Sequence, residues 1–157
     1  MKRNRSILTA TLLLILAACS EEMKVTPFTY PQVFAGEEKK GWSVRSVQLI
    51  SEGKGTQTFR FDNCVLDDIY IFYNDAERNY VITEGSSKCN DADPATIVTS
   101  SWAFSNPTAT LTIIMPLLSV NPLPFILKEV DGSKMVIDIY LDDRSAYRFN
   151  FRPTSLE

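Results

Sequence analysis

Cys64, Asp67 and Asp68 lie close together in the segment Asp62-Asn63-Cys64-Val65-Leu66-Asp67-Asp68. A thiol beside two carboxylates is a combination that could do chemistry. Paired carboxyl groups can share a proton for acid–base work, and they can hold a cation. Adjacent residues on a strand point to opposite faces, however, so Asp67 and Asp68 do not converge on one atom. Hydrogen bonding to turn backbone and a polar start to the following strand are the expected roles. Asn90-Asp91-Ala92-Asp93 opens like a calcium loop. Pro94 and Ala95 follow where an EF-hand would need a further oxygen ligand, a Gly and a distal Glu, so the segment reads as a solvated loop. Asp142-Asp143 reads as an ordinary turn. The chain has no histidine, which removes Ser-His-Asp and Cys-His activation and histidine-ligated metals. No metal, no cofactor and no enzymatic activity are expected.

These residues must be carried by something, and hydrophobic spacing says what. With 157 residues, 45% of them hydrophobic, the chain suits one domain with a real core. From Trp42 onward the apolar pattern has period 2 and is cut by turn residues at intervals near ten. Strands are predicted at 42–50, 56–61, 68–73, 79–83, 97–104, 108–115, 125–130, 134–141 and 146–151, with a cysteine-bearing loop at 86–95. No helical stripe of useful length intervenes. Successive hairpins at even spacing predict an all-β fold, an antiparallel up-and-down β-barrel of about 8 strands, with a β-sandwich as the alternative.

The N-terminus reads as an address. Lys2, Arg3 and Arg5 precede an apolar run over 7–18, too short for a bilayer span of about 20 residues and suited to a secretory signal. Leu16-Ala17-Ala18-Cys19 resembles the bacterial lipobox, which implies acylation of Cys19 and a durable membrane anchor. Ser20 at the next position resembles the outer-membrane sorting signal, and Glu21-Glu22 resembles a surface-export signal, so the protein is expected to face the periplasm or the cell surface. The expected organisation is a signal peptide over 1–18, a lipidated N-terminus and tether over 19–40, and the barrel over 41–157. Phe28, Tyr30, Val33 and Phe34 argue that the tether's second half packs on the domain. Taking the signal's three cations from the sixteen leaves thirteen bases against nineteen acids, a net charge of −6. That balance gives no footprint for nucleic acid. In an exported, oxidising compartment the even pair Cys64 and Cys89 is expected to form a disulfide. Two free thiols or a metal pair is the alternative, and two cysteines without histidine make a poor zinc site.

Several short motifs then line up in order. Lys40-Gly41-Trp42 resembles the start of lipocalin-like domains in Bacteroidota lipoproteins. Asp62-Asn63-Cys64, the run Asp67-Asp68-Ile69-Tyr70-Ile71-Phe72, Glu84-Gly85 and Lys88-Cys89 resemble that family's next block, and Trp102-Ala103-Phe104 its following strand. The similarity runs over about 36–152. It implies a small lipocalin-like barrel in which Trp42 packs under a basic residue of the last strand, Arg148 or Arg152. Gly41 directly precedes Trp42, whereas the wider lipocalin signature has Gly-x-Trp, so the ligand habits of wider lipocalins transfer poorly.

The aromatic residues are the best binding material. Trp42, Phe59, Phe61, Tyr73, Trp102, Phe104 and Phe149 are the candidate lining of the barrel interior, with Phe151 beside them. An eight-stranded barrel is just wide enough to be filled by side chains or to hold one small ligand, and both outcomes use the same residue types. The apolar connection over 115–124 is expected to be a rim loop, a cap over the mouth or a contact for membrane or partner. Two functions follow: a membrane-anchored lipoprotein binding a small apolar ligand, or an envelope interaction protein with a filled barrel.

Overall fold

A computed structural model of the chain describes residues 30–156. The expected signal peptide, Cys19 and the first half of the expected tether lie outside the described residues. The first element is α1 (Tyr30–Ala35). There follow β1 (Lys39–Ser51), β2 (Gly55–Phe59), a four-residue helix α2 (Asn63–Leu66), β3 (Ile69–Tyr73), β4 (Asn79–Thr83), β5 (Thr96–Ser101), β6 (Ala103–Ser105), β7 (Thr110–Met115), β8 (Ser119–Val130), β9 (Met135–Asp142) and β10 (Ser145–Thr154). All strands belong to one antiparallel sheet in the order β5-β4-β3-β1-β10-β9-β8-β7-β6, with β2 also on β1. One sheet curling on itself is a barrel, and the sandwich alternative falls away.

The register reduces the ten strands to eight staves. The N-terminal half of β1, from Lys39 to Ser43, pairs with β3, while Val47 to Ser51 pair with β2. β2 and β3 are therefore one stave interrupted by α2. β5 and β6 are likewise one run broken only at Trp102, whose N–H leaves the ladder to bond the Arg78 carbonyl at 2.9 Å. The first half of this run pairs with β4 and the second half with β7. The ring thus closes through a shared strand, and each half of that strand lacks a ladder partner on one side. Tyr80 on β4 tightens this seam by donating its hydroxyl to the Ile114 carbonyl of β7 at 3.1 Å.

Alternation sends one face of every stave inward. Trp42, Val44, Tyr70, Phe72, Tyr80, Ile82, Leu111, Ile113, Phe125, Met135, Ile137, Phe149 and Phe151 are buried and form one continuous cluster. The up-and-down path puts the turns after β1, β7 and β9 at one end, with the disulfide loop. The turns after β3, β6 and β8 lie at the other. α1 stoppers that second end. Its Phe34 is fully buried, 5.4 Å from the Phe72 ring and 5.1 Å from the Trp102 ring in edge-on geometry. The Phe34 carbonyl accepts the Trp42 indole N–H at 2.7 Å, and Asn74 donates to the carbonyls of Gly36 and Glu37. The packed part of the chain therefore begins by Tyr30, ahead of the expected barrel boundary at 41.

Two stretches depart from expectation. Residues 119–124, read as part of a connection, form the start of β8. Pro122 and Pro124 pair with Ile114 and Thr112 on β7, while the ladder to β9 starts only at Ile126. The prolines thus occupy a length of strand with one partner, where a missing N–H is tolerated. Residues 63–66 form a helical turn between two collinear strands, a local choice that no period-2 pattern signals.

Candidate functional site

The seven aromatic candidates do not form one lining. Phe59, Phe61 and Phe149 meet at the open end of the barrel, with Val47, Leu117, Leu118 and Tyr147, around a cleft of about 140 Å³. The local folding that builds it is legible. The β1–β2 hairpin supplies Val47 and Phe59, and the strand's overrun toward α2 carries Phe61. The final strand supplies Tyr147 and Phe149 two residues apart on its inward face. The turn after β7 folds back over the mouth with Leu117 and Leu118, closed by the Leu118 N–H to Met115 carbonyl bond at 2.8 Å. Phe59 packs edge-on to Tyr147 with ring centres 5.7 Å apart. No charged side chain lines this cleft.

The other four candidates lie elsewhere. Trp42, Trp102 and Phe104 surround the stopper: Phe104 lies 5.6 Å from the Phe34 ring and 6.1 Å from Tyr30. Tyr73 is on the outer face, because the inward residues of β3 are Tyr70 and Phe72, and the Lys39 ammonium lies over its ring at 5.7 Å. Tyr70, Phe72 and Tyr80 are core aromatics that the sequence reading left out. Aromatic residues stand at consecutive positions on β3, so alternation alone left the inward parity undecided there.

The expected pairing of Trp42 with Arg148 is corrected. Phe149 and Phe151 point inward, so Arg148, Asn150 and Arg152 point out, whereas Trp42 points in. The cation over the Trp42 ring is Lys40 on the same strand, at 4.2 Å, with its ammonium also donating to the Val33 carbonyl at 3.2 Å. Burial pulls the Lys40 ammonium below its ordinary value, opposed by the charge of Asp131. Arg148 instead forms a two-pronged pair with the buried Asp138 of β9, Nε and Nη2 each 2.8 Å from a carboxylate oxygen. This is the planar match that makes Arg–carboxylate pairs strong. Arg152 donates from Nε to the Ser43 hydroxyl at 3.3 Å.

The cysteine and carboxylate cluster resolves into a joint. Cys64 on α2 is disulfide-bonded to Cys89 in the loop between β4 and β5, with Cα atoms 5.1 Å apart. Asp67 accepts from the Ser86 hydroxyl at 2.7 Å, the Ser87 N–H at 2.9 Å and the Ser87 hydroxyl at 2.8 Å. Burial pushes the Asp67 carboxyl up, but these donors outweigh it and hold it below its ordinary value. Gly85 lies so close to the Asp67 backbone that a Cβ there would run into it. Asp68 is different. Burial first, then the charges of Glu84 and Asp67, push its carboxyl up to about 7, against the pull of the Gly85 N–H. Its Oδ1 is buried without a hydrogen-bond partner.

The 90–93 segment closes on itself: Asp93 accepts from the Asn90 N–H at 3.1 Å, Asn90 accepts from the Ala92 N–H at 3.1 Å, and Lys88 caps the Asp93 carbonyl. Its oxygens serve the loop. Among the described residues, no group of three or more cysteines and carboxylates is placed to hold a metal ion. Comparison with protein-family models, with curated proteins and with solved structures returns no match to this chain.

Proposed function

We propose that the protein is a membrane-anchored, extracytoplasmic lipoprotein with a lipocalin-like barrel, which binds a small apolar molecule at the barrel mouth. The observation that carries this reading is the uncharged cleft of about 140 Å³ between Phe59, Phe61, Phe149 and the Leu117–Leu118 turn. A dry apolar cavity of about 150 Å³ accepts benzene, so the mouth takes one aromatic ring or a short alkyl end. Anything longer extends past Leu118 into solvent. Among the described residues Trp42, Phe72, Phe125 and Phe149 are all buried and pack together in the barrel interior. Acylation at Cys19 is supported by Leu16-Ala17-Ala18 before it, and binding rather than catalysis by the lack of any histidine.

The test is calorimetric titration of the full-length chain, held in phosphatidylcholine nanodiscs, with indole and with hexanol. Saturable binding that Leu118→Glu weakens by about tenfold or more supports the site, since burying one methylene contributes about 0.8 kcal/mol and a charge at the lip forbids it. Unchanged binding in Leu118→Glu refutes the placement, and no binding of either probe refutes the reading. A second reading, an envelope interaction protein, is favoured by the exposed Leu118, Val120, Tyr140 and Leu141. Apolar residues clustered at one rim suit a partner surface. In-cell cross-linking from Val120 that captures one consistent partner supports it, and capture of none counts against it.

A further inference from the structure

A second cleft, on the outer wall and away from the mouth, has the opposite chemistry. The outward residues of β10 are Arg148, Asn150 and Arg152, and the register sets them against Gln48, Ser46 and Ser43 of β1. Between Val44 and Ser46 the ladder slips, leaving Arg45 as the extra residue of a bulge. Bulges re-aim the side chain they carry. The result is a cleft of about 340 Å³ whose polar lining includes Arg45, Ser46, Gln48, Lys134, Asn150 and Arg152. Three cations and no carboxylate line it, in a chain with more acidic than basic residues. Two other outer clefts carry carboxylates: one has Asp67 and Glu84 beside Lys39, and another Glu52, Asp142 and Asp143 beside Lys54 and Arg144.

The cations are not equally committed. Arg148, on the same face, is neutralised by Asp138, and Lys134 reaches Glu129 at 2.7 Å. Among the described residues neither Arg45 nor Arg152 forms an ion pair. Arg152 uses only Nε, toward Ser43, which leaves its terminal nitrogens free to donate. Between the two arginines, Asn150 donates to the Ser46 hydroxyl at 3.1 Å and the Gln48 amide oxygen at 3.4 Å, which fixes the floor. Like charges held together without a counter-charge repel one another, and a bound anion relieves that repulsion.

We propose that this cleft binds a phosphate or sulfate monoester carried on a hydroxyl-bearing body. The guanidiniums of Arg45 and Arg152 grip the oxyanion, for which their planar donor forks are matched. Ser46, Gln48 and Asn150 face the hydroxyls. The volume is several times what a bare oxyanion fills, given that a water molecule occupies about 30 Å³. A soluble sugar ester and a lipid headgroup share this chemistry.

The experiment uses the full-length chain in phosphatidylcholine nanodiscs. Calorimetry with glucose 6-phosphate is run beside isotope-labelled amide spectra of Gln48 and Asn150 in nanodiscs with and without phosphatidic acid. Each arginine contributes on the order of tenfold in affinity. Arg45→Gln with Arg152→Gln therefore weakens binding by about a hundredfold, while the distant Lys54→Gln leaves it unchanged. Neither arginine is buried, and an unchanged melting temperature confirms that the double variant is folded. Saturable binding of glucose 6-phosphate with that loss establishes the site with a soluble source. Amide shifts only with phosphatidic acid, abolished in the double variant, establish it with a lipid source. Binding that survives the double substitution, or no response to either probe, overturns the proposal.

Discussion

Replacing Asp68 by Asn should make the protein more stable, and by an amount that grows with pH. The carboxyl sits at the junction of α2 and β3, with Oδ1 buried and unpartnered and with Asp67 and Glu84 as charged neighbours. Its folded value of about 7, against an ordinary 3.8, means that the folded protein holds a proton there which the unfolded chain has released. Stability is therefore fully present below about pH 4 and falls as pH rises toward 7. At 1.36 kcal/mol per pH unit the gap is worth about 4 kcal/mol at most. The side chain is only partly buried, and screening reduces this to about 2 kcal/mol. Asn keeps the shape and carries no charge. Urea unfolding of both proteins with the disulfide intact, from pH 4 to pH 8, measures the difference directly. Near pH 4 the two should agree closely, and at pH 8 the variant should lead by about 2 kcal/mol. Asp75 and Asp131 are held below their ordinary values, so their contributions fall away at lower pH and, being away from Asp68, cancel in the difference. A difference that is constant with pH, or a variant that is less stable at pH 8, would refute the reasoning.

Other expectations follow from the packing and the covalent links. Phe34→Ala removes a fully buried ring from the stopper and should cost about 3 to 5 kcal/mol in chemical unfolding; a loss below 1 kcal/mol would mean that α1 is not part of the cooperative fold. Replacing Cys64 and Cys89 together by Ser opens a link across 25 residues. The loss should be about 3 to 4 kcal/mol by chain entropy, and an unchanged unfolding midpoint would contradict it. Cys19→Ala should move the protein from the membrane fraction to the soluble fraction, and retention in the membrane would remove the proposed anchor.

The barrel was legible because its signal is redundant. Period-2 alternation recurs in several staves, clearest in β3, β4 and β7, so small errors of boundary do not change the fold. The disulfide followed from an even pair of cysteines and the expectation of an oxidising compartment. What the sequence hid lies in parity and in local irregularity. Tyr70 and Tyr73 differ by three residues and therefore face opposite sides, and nothing in their identity says which is inward. The bulge at Arg45 shifts the parity of β1 midway, and the helical turn at 63–66 breaks a stave in two. Arg148, like Arg152, was set against Trp42 by the lipocalin-like resemblance alone. Its inward neighbour Phe149 had already placed it outside, where Asp138 holds it. The mouth cleft required Leu117 and Leu118 to fold back, a consequence of turn geometry that composition does not carry.

The central claim is that large side chains pack the barrel axis among the described residues and that an uncharged apolar cleft lies at the mouth. Diffraction from a crystal of the protein under xenon pressure tests this most directly, because xenon occupies apolar cavities without needing polar contacts. The account requires xenon density between Phe59, Phe61, Leu118 and Phe149, and none along the axis among Trp42, Phe72 and Phe125. Xenon on the axis, or none at the mouth, would contradict it.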